Sequence, residues 1–220
     1  MKWDQFIIIW QNAPDFIAAT GMTLSVTVIS FLLALVIGAG TGVARTGRNI
    51  FNPIFQVYVE IFRGTPLLIQ LFFIYYGLPE AGIAMPAFTA AVTGLGLNGG
   101  AYISEIIRAA VLAIDPGQQE AALALGLTRL QTLRYVIFPQ AVRIAVPPLM
   151  NTFSSMLKES SLVSVLAICE ISRLGQLIYT RTFRAFEVYL VVGAIYFCLT
   201  FLVSRISRRL ERRLRLGWFV

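Results

Sequence analysis

Histidine is missing from all 220 residues, which removes the commonest general base, the commonest transition-metal ligand and the side chain that titrates near neutrality. Cysteine occurs only as Cys169 and Cys198, in or beside apolar runs and without metal-ligand spacing. Neither a disulfide framework nor a zinc site is expected, nor any catalytic or metal-binding residue. Lysine is confined to Lys2 and Lys158, and no G-x-x-x-x-G-K-[ST] pattern occurs, so the chain has no phosphate-cradling loop of that kind. Charge itself is scarce: 13% of residues are charged against 57% hydrophobic, with a mean hydropathy of +0.75. That is the balance of a polytopic membrane protein. The net charge of +7 does not argue for nucleic acid, because Arg205, Arg208, Arg209, Arg212, Arg213 and Arg215 crowd into the tail straight after an apolar run. Basic residues so placed mark a cytoplasmic membrane edge beside lipid. The opening FIIIW is too short for a signal-peptide core.

What is present is a succession of apolar runs. No charge falls between Asp15 and Arg45, long enough to cross a hydrocarbon core of about 30 Å. A second span is expected around residues 57–78. A third starts in the uncharged stretch 81–104, whose Gly94, Gly96, Gly99 and Gly100 mark close helix contact or an irregular turn, and runs on through YISEIIRAAVLA. Pro147 and Pro148 are read as opening a fourth span that ends near Cys169, and VYLVVGAIYFCLTFLV forms a fifth. The expectation is an all-α polytopic membrane protein of five transmembrane helices, amino terminus outside and carboxy terminus cytoplasmic. Arg45, Arg48, Arg63, Arg108, Arg129, Arg134 and Arg143 then lie inside, against Lys2, Arg173, Arg181 and Arg184 outside. Residues 1–19 would form an external segment, 20–209 one membrane domain and 210–220 a basic cytoplasmic tail.

Residues 118–140 interrupt this pattern, being polar and alanine-rich. Asp115, Pro116 and Gln118 have the order of an N-cap, a first helical residue and a capping-box partner. Gly126 suits a left-handed helix end, and Thr128 with Gln131 repeats the capping box for a second short helix running to Pro139. Leu123, Leu127 and Leu130 are spaced as an apolar stripe. That stripe either packs on the chain's own spans or fills a groove on another protein.

The stretch EAALALGLTRLQTLRYVIFP resembles the EAA loop of the membrane subunits of bacterial ABC importers: Glu120, Ala121 and Ala122, a glycine six residues after the glutamate, and an ending at Pro139, with Phe138 where leucine is usual. FRGTPLLIQLFFIYYGLP, NGGAYISEIIRAA, DPGQQEAA, PQAVRIAVPPLMNTF and LKESSL are similar, in order and spacing, to the polar amino-acid branch of that family, which includes glutamine- and cystine-type permeases. The resemblance implies a type I ABC importer transmembrane fold in the bacterial cytoplasmic membrane and a coupling helix worked by a separate ATP-binding subunit, which holds the ATP and magnesium. It further implies a second permease subunit, identical or homologous, a periplasmic or extracellular solute-binding protein, and an amino-acid substrate. Glu120, Ala121, Ala122, Leu123, Gly126, Leu127, Leu130 and Pro139 would be the coupling residues.

Two charges, Lys158 and Glu159, fall within the fourth apolar run. Each costs roughly 2.5–3.5 kcal/mol at the bilayer centre unless it faces protein or water. As helix neighbours they point about 100° apart, so each needs a partner, for which Glu105, Asn98, Ser160 and Ser161 are candidates. They either lock a subunit interface or line the translocation path, and Asn98, Tyr102, Glu105, Lys158, Glu159 and Ser160 are the path candidates. Where the family usually reads Lys-Asp-Thr-Ser-Leu, this chain has Glu159 and Ser160. Tyr75 and Tyr76 read as interfacial aromatics, Arg63 as a snorkelling side chain, and Arg108 as an edge anchor or loop clamp. Two other functions compete: an ion-coupled secondary carrier using Glu105, Lys158 and Glu159 as a relay, and a membrane scaffold. The amino acid carried, and whether the second permease is identical, are not encoded.

Overall fold

The computed structural model describes residues 10–47 and 50–215, with side chains to residue 213. Lys2, Arg48, most of FIIIW and residues 216–220 of the basic tail lie outside the described residues, as does the side chain of Arg215.

The longest helix, α1 (Ala13–Ala44), has 32 residues, about 48 Å at 1.5 Å per residue. Most of its hydroxyls turn back onto the helix: Thr20, Thr23 and Thr27 donate to the carbonyls of Phe16, Ala19 and Thr23, while the buried Ser30 Oγ has no partner among the described residues. Such back-bonding satisfies a hydroxyl where water is absent. Next come α2 (Asn52–Gly64) and α3 (Leu67–Phe72), the latter prolonged by a π turn (Phe73–Gly77) and a 3-10 turn (Leu78–Ala81). The rest are α4 (Ala87–Leu112), α5 (Pro116–Ala124), α6 (Arg129–Thr132), a π turn (Leu133–Ile137), α7 (Phe138–Glu159), a 3-10 turn (Ser160–Leu166), α8 (Ile171–Thr182) and α9 (Ala185–Arg215).

Among the described residues, two helices are long and apolar enough to cross a membrane alone, Ala13–Ala44 and Ala185–Arg213, and up to five crossings result if each bent helix pair counts as one. This matches the expected number but not the expected shapes. The second span is broken, with α2 and α3 meeting at 108°. Pro66 bars its predecessor from the helical region, and Thr65 is extended at φ −117, ψ 144. The buried Gln70 side chain closes the break by donating to the carbonyls of Phe62 (2.8 Å) and Thr65 (3.0 Å).

The fourth span also differs from expectation. Pro147 and Pro148 do not open it; they lie inside α7. The second elbow helix does not stop at Pro139 either, since it passes through the π turn straight into α7. Prolines are tolerated in membrane helices where side chains re-satisfy the freed carbonyls, and Thr152 Oγ1 donates to the Pro148 carbonyl at 3.1 Å. Helical structure ends at Leu166, and the segment expected as an outer loop carries α8 instead, 51° off the preceding rod.

Packing is tightest where α1 meets α4. A Cβ on Gly38 would sit 2.6 Å from the Ile103 Cβ, and one on Gly42 2.7 Å from the Ser104 carbonyl oxygen. Small residues here let two backbones approach, the usual device of membrane bundles. The main core gathers Val26, Ala34, Leu71, Leu95, Ile103 and Met156 from α1, α3, α4 and α7. A second cluster seals α8 between α1 and α9 through Phe16, Ile171, Leu174, Ile178 and Val188.

Candidate functional site

The elbow, α5 and α6, is built by its end signals. The Asp115 carboxylate accepts from the Gly117 N–H at 2.7 Å, with Pro116 in the first helical position. The side-chain return bond from Gln118 expected of a capping box is not formed among the described residues; the Gln118 N–H bonds to the Asp115 carbonyl instead. At the other end Gly126 is left-handed at φ +83. The Leu127 N–H reaches the Ala122 carbonyl and the Gly126 N–H the Leu123 carbonyl, at 3.2 and 3.0 Å. This paired closure is the Schellman motif. Thr128 and Gln131 form the reciprocal capping box, at 3.3 and 2.8 Å.

Of the coupling residues read from sequence, Ala122 is buried, Leu127 half-buried, and Glu120, Ala121, Leu123, Gly126, Leu130 and Pro139 exposed. The stripe does not pack away on the chain's own spans: Leu130 is 74% exposed, and Leu125, which the stripe omitted, 84%. These leucines are an apolar surface that no other part of the described chain covers.

Between α4 and α7 an open-sided cavity of about 270 Å³ is lined by Asn98, Gly99 and Tyr102 of α4 and by Asn151, Thr152, Ser155, Met156 and Glu159 of α7. Three of the path candidates, Asn98, Tyr102 and Glu159, meet there. Asn98 is mostly engaged, its amide donating to the Phe62 carbonyl and to Gln70 Oε1, both at 3.0 Å. Asn151 and Ser155 were missed, although with Glu159 they recur every four residues, one helix face. The other candidates are elsewhere. Ser160 is buried and donates to the Leu157 carbonyl at 2.8 Å. Lys158 is exposed on the outside of the bundle, and among the described residues no ion pair joins it to Glu159.

Glu105 is held in an arginine clamp away from the cavity. Its carboxylate lies 2.5 Å from Arg45, 2.9 Å from Arg108 and 4.0 Å from Arg63. It therefore partners neither Lys158 nor Glu159, and it ties the end of α1 to α2 and α4. Arg63 stacks over the Tyr102 ring at 5.4 Å, so it is more than a snorkelling side chain. A second polar joint was not foreseen. Glu170, fully buried, accepts from the backbone N–H groups of Ser172 and Arg173 at 2.8 and 2.7 Å and from the Tyr196 hydroxyl at 2.8 Å. It fixes α8 to α9, while the Ile171 N–H donates to Thr23 of α1. A lone carboxylate between two apolar runs was the available signal.

Comparison with known proteins gives these features a setting. Residues 34–216 match the family of binding-protein-dependent transport system inner membrane components. The chain is 44% identical over 211 residues to the glutamine transport system permease protein GlnP of Escherichia coli strain K12, covering 94% of this chain and 96% of that protein. It is 40% identical over 194 residues to the L-cystine transport system permease protein TcyB of Bacillus subtilis strain 168, covering 87% and 83%. Among solved structures, the crystal structure of an amino acid ABC transporter with histidines superposes with a TM-score of 0.90 at 41% identity, covering 97% of this chain and all of that one. The MetNI methionine ABC transporter, inward facing, shares the fold at a TM-score of 0.70 and 22% identity. The ion-coupled carrier finds no support in these relatives. The chain is a multi-pass membrane protein and belongs to the binding-protein-dependent transport system inner membrane component family.

Proposed function

We propose that this chain is the permease subunit of an ABC importer for a polar amino acid. It pairs with a second permease, identical or homologous, receives substrate from an external solute-binding protein, and is driven by a partner ATP-binding subunit that carries out ATP hydrolysis with ATP and magnesium. The elbow end, with Arg45, Arg108 and the arginines of α9, faces the cytosol, and the amino-terminal end of α1 faces outward.

One observation carries this reading. Helical structure is unbroken from Arg129 to Leu166, so a single rod joins the exposed Leu130 of the elbow to Asn151, Ser155 and Glu159 at the cavity. A push on α6 runs along this rod to the cavity wall, and Gly126 is the joint through which α5 passes its own push to it. The cavity volume suits a small polar solute. Glu159 is the acidic group for an α-ammonium, Asn151 and Ser155 supply side-chain hydrogen bonds, and Arg63, stacked on Tyr102, lies beyond as a carboxylate partner.

The test is reconstitution with the cognate ATPase and binding protein. Wild-type complex should couple ATP hydrolysis to uptake of L-glutamine or L-cystine. Glu159→Gln should raise the substrate concentration for half-maximal uptake by about tenfold, the loss of one charge-assisted contact, with basal hydrolysis preserved. Uptake that persists without ATPase, or an unchanged dependence in Glu159→Gln, refutes the reading.

A further inference from the structure

The arginine-rich end of α9 is two-sided. Ser204, Ser207, Arg208 and Glu211 fall at i, i+3, i+4 and i+7, which is one helix face, and that face turns towards α7. Opposite it, Leu202, Ile206 and Leu210 are exposed, the apolar side that a membrane helix offers to lipid. Between the polar face and Asn151 and Ser154 of α7 lies an open-sided cavity of about 210 Å³. Its acidic group is preset: Ser207, 7% exposed, donates its hydroxyl to Glu211 Oε1 at 3.0 Å. Its basic group is free. Among the described residues Arg208 has no carboxylate within ion-pair distance, although Glu211 is one turn away, and Asn151 and Ser154 have no hydrogen-bond partner. An unpaired guanidinium and a held carboxylate in one groove of a membrane bundle are costly unless water or a solute meets them.

The lining specifies the solute. A guanidinium and a carboxylate suit a carboxylate and an ammonium on one small molecule, and the amide and hydroxyls can engage its polar side chain. The place specifies its role. Asn151 also lines the path cavity, so α7 presents the two cavities on adjoining flanks, one towards α4 and the other towards the arginine-rich end of α9. We propose that the α7–α9 cavity is a second station for the transported amino acid, occupied after it leaves the path cavity and before it reaches the cytosol, with its carboxylate on Arg208, its ammonium on Glu211 and its side chain towards Asn151 and Ser154. A solute that steps round Asn151 exchanges one carboxylate, Glu159, for another, Glu211, and keeps a counter-charge on the way. Without the station, unloading slows while loading of the path cavity is untouched. The inference rests on the importer reading above for the direction of travel and the effect on uptake, but not for binding.

The experiment uses the permease–ATPase complex without solute-binding protein, in nanodiscs of phosphatidylcholine and phosphatidylglycerol, with tritiated L-glutamine and L-cystine as probes. Two molecules of one probe should bind per copy of this chain. Arg208→Gln and Glu211→Gln should each weaken one of them by about tenfold and leave the other alone, whereas Glu159→Gln should do the converse. In proteoliposomes supplied with binding protein, Arg208→Gln should lower the maximum uptake rate by about threefold at an unchanged half-saturating concentration, while Glu159→Gln shifts that concentration. A merely structural role for Arg208 would not divide the two parameters in this way. Fewer than two molecules per chain, or one site weakened alike by Glu159→Gln and Arg208→Gln, overturns the proposal. So does loss of the Arg208-dependent binding when phosphatidylethanolamine replaces phosphatidylcholine, since the cavity then holds a lipid headgroup bearing the same pair of charges. If neither probe is imported while one still binds in an Arg208-dependent way, the substrate reading falls and the amino-acid site at Arg208 stands.

Discussion

Gly126 and Gly82 form a natural experiment on the elbow. Both are left-handed, at φ +83 and +84, and at both an added Cβ would meet nothing within 4 Å. Alanine at either position therefore introduces backbone strain alone. An L-residue held in that region costs about 1–2 kcal/mol, offset by about 0.4–1 kcal/mol through the stiffer unfolded chain. The net loss is about 1 kcal/mol, a melting shift of about 2–4 °C for a chain of this size. The consequences differ by location. Gly82 follows the 3-10 turn after α3, where a small shift moves only a loop. Gly126 joins α5 to the rod, and nine residues of α5 span about 13 Å. If alanine sheds its strain by a 20° rotation, the far end of α5 moves by about 5 Å, enough to unseat it from a partner cleft. The measurement pairs thermal melting with ATPase assays of the reconstituted importer with and without solute-binding protein. Gly126→Ala should cut the stimulated rate by about fivefold, equivalent to about 1 kcal/mol of lost coupling, with the basal rate preserved, whereas Gly82→Ala should lower melting equally and leave stimulation alone. Equal effects at the two positions, or full stimulation in Gly126→Ala, would refute the lever.

Two further outcomes test the polar joints. Glu105→Gln removes the negative charge that Arg45 and Arg108 share and should cost about 2–3 kcal/mol, read as a lower melting temperature of the purified chain in detergent. Tyr196→Phe deletes one donor to Glu170 and should cost about 1 kcal/mol, while Glu170→Ala, which also strips the cap from α8, should cost about 2–3 kcal/mol and expose α8 to protease first.

Legibility in the sequence followed the range of the interactions. The apolar runs of α1 and α9 were visible because such runs are local, though both helices extend beyond them, to Ala13 and to Arg215; the elbow was visible because its caps lie within five residues of each other: Thr128 finds Gln131, and Gly126 closes on its own helix. The broken second span was not, although Gly64, Thr65 and Pro66 mark the place, because the break is viable only when Gln70 folds back on the Phe62 carbonyl. Pro147 and Pro148 misled for the converse reason. In water two prolines open a helix, whereas here the helix was already running and Thr152 reaches back to a freed carbonyl. Glu105 looked like a path residue because Arg45 and Arg63 lie 60 and 42 positions earlier in the chain, and no local period reports them. The cavity face of α7 was legible and unread: Asn151, Ser155 and Glu159 repeat every fourth residue.

The seams of the bundle differ in what they can yield, and that difference separates frame from moving part. Where α1 meets α4, a Cβ on Gly42 would strike the Ser104 carbonyl oxygen at 2.7 Å and the Ile107 Cβ at 2.8 Å. Neither atom can step aside unless a backbone moves. Where α4 meets α7, a Cβ on Gly99 would meet Met156 Sδ and Cε at 2.8 and 2.9 Å, the far end of an unbranched, three-rotor side chain that adapts readily, and the Ala34 Cβ of α1 at 3.2 Å, which would have to give by a few tenths of an ångström. By these contacts the first seam is the stiffer and the second the more compliant, and the rod is the part expected to shift. Gly42→Ala should therefore cost about 1–3 kcal/mol of stability, while the protein that survives transports normally. Gly99→Ala should cost less stability than Gly42→Ala yet import more slowly, since the displaced Met156 lines the cavity and must move into it. Paired melting and uptake measurements decide the matter: if stability and transport fall together in both variants, the two seams are mechanically alike and the rod is no more mobile than the frame.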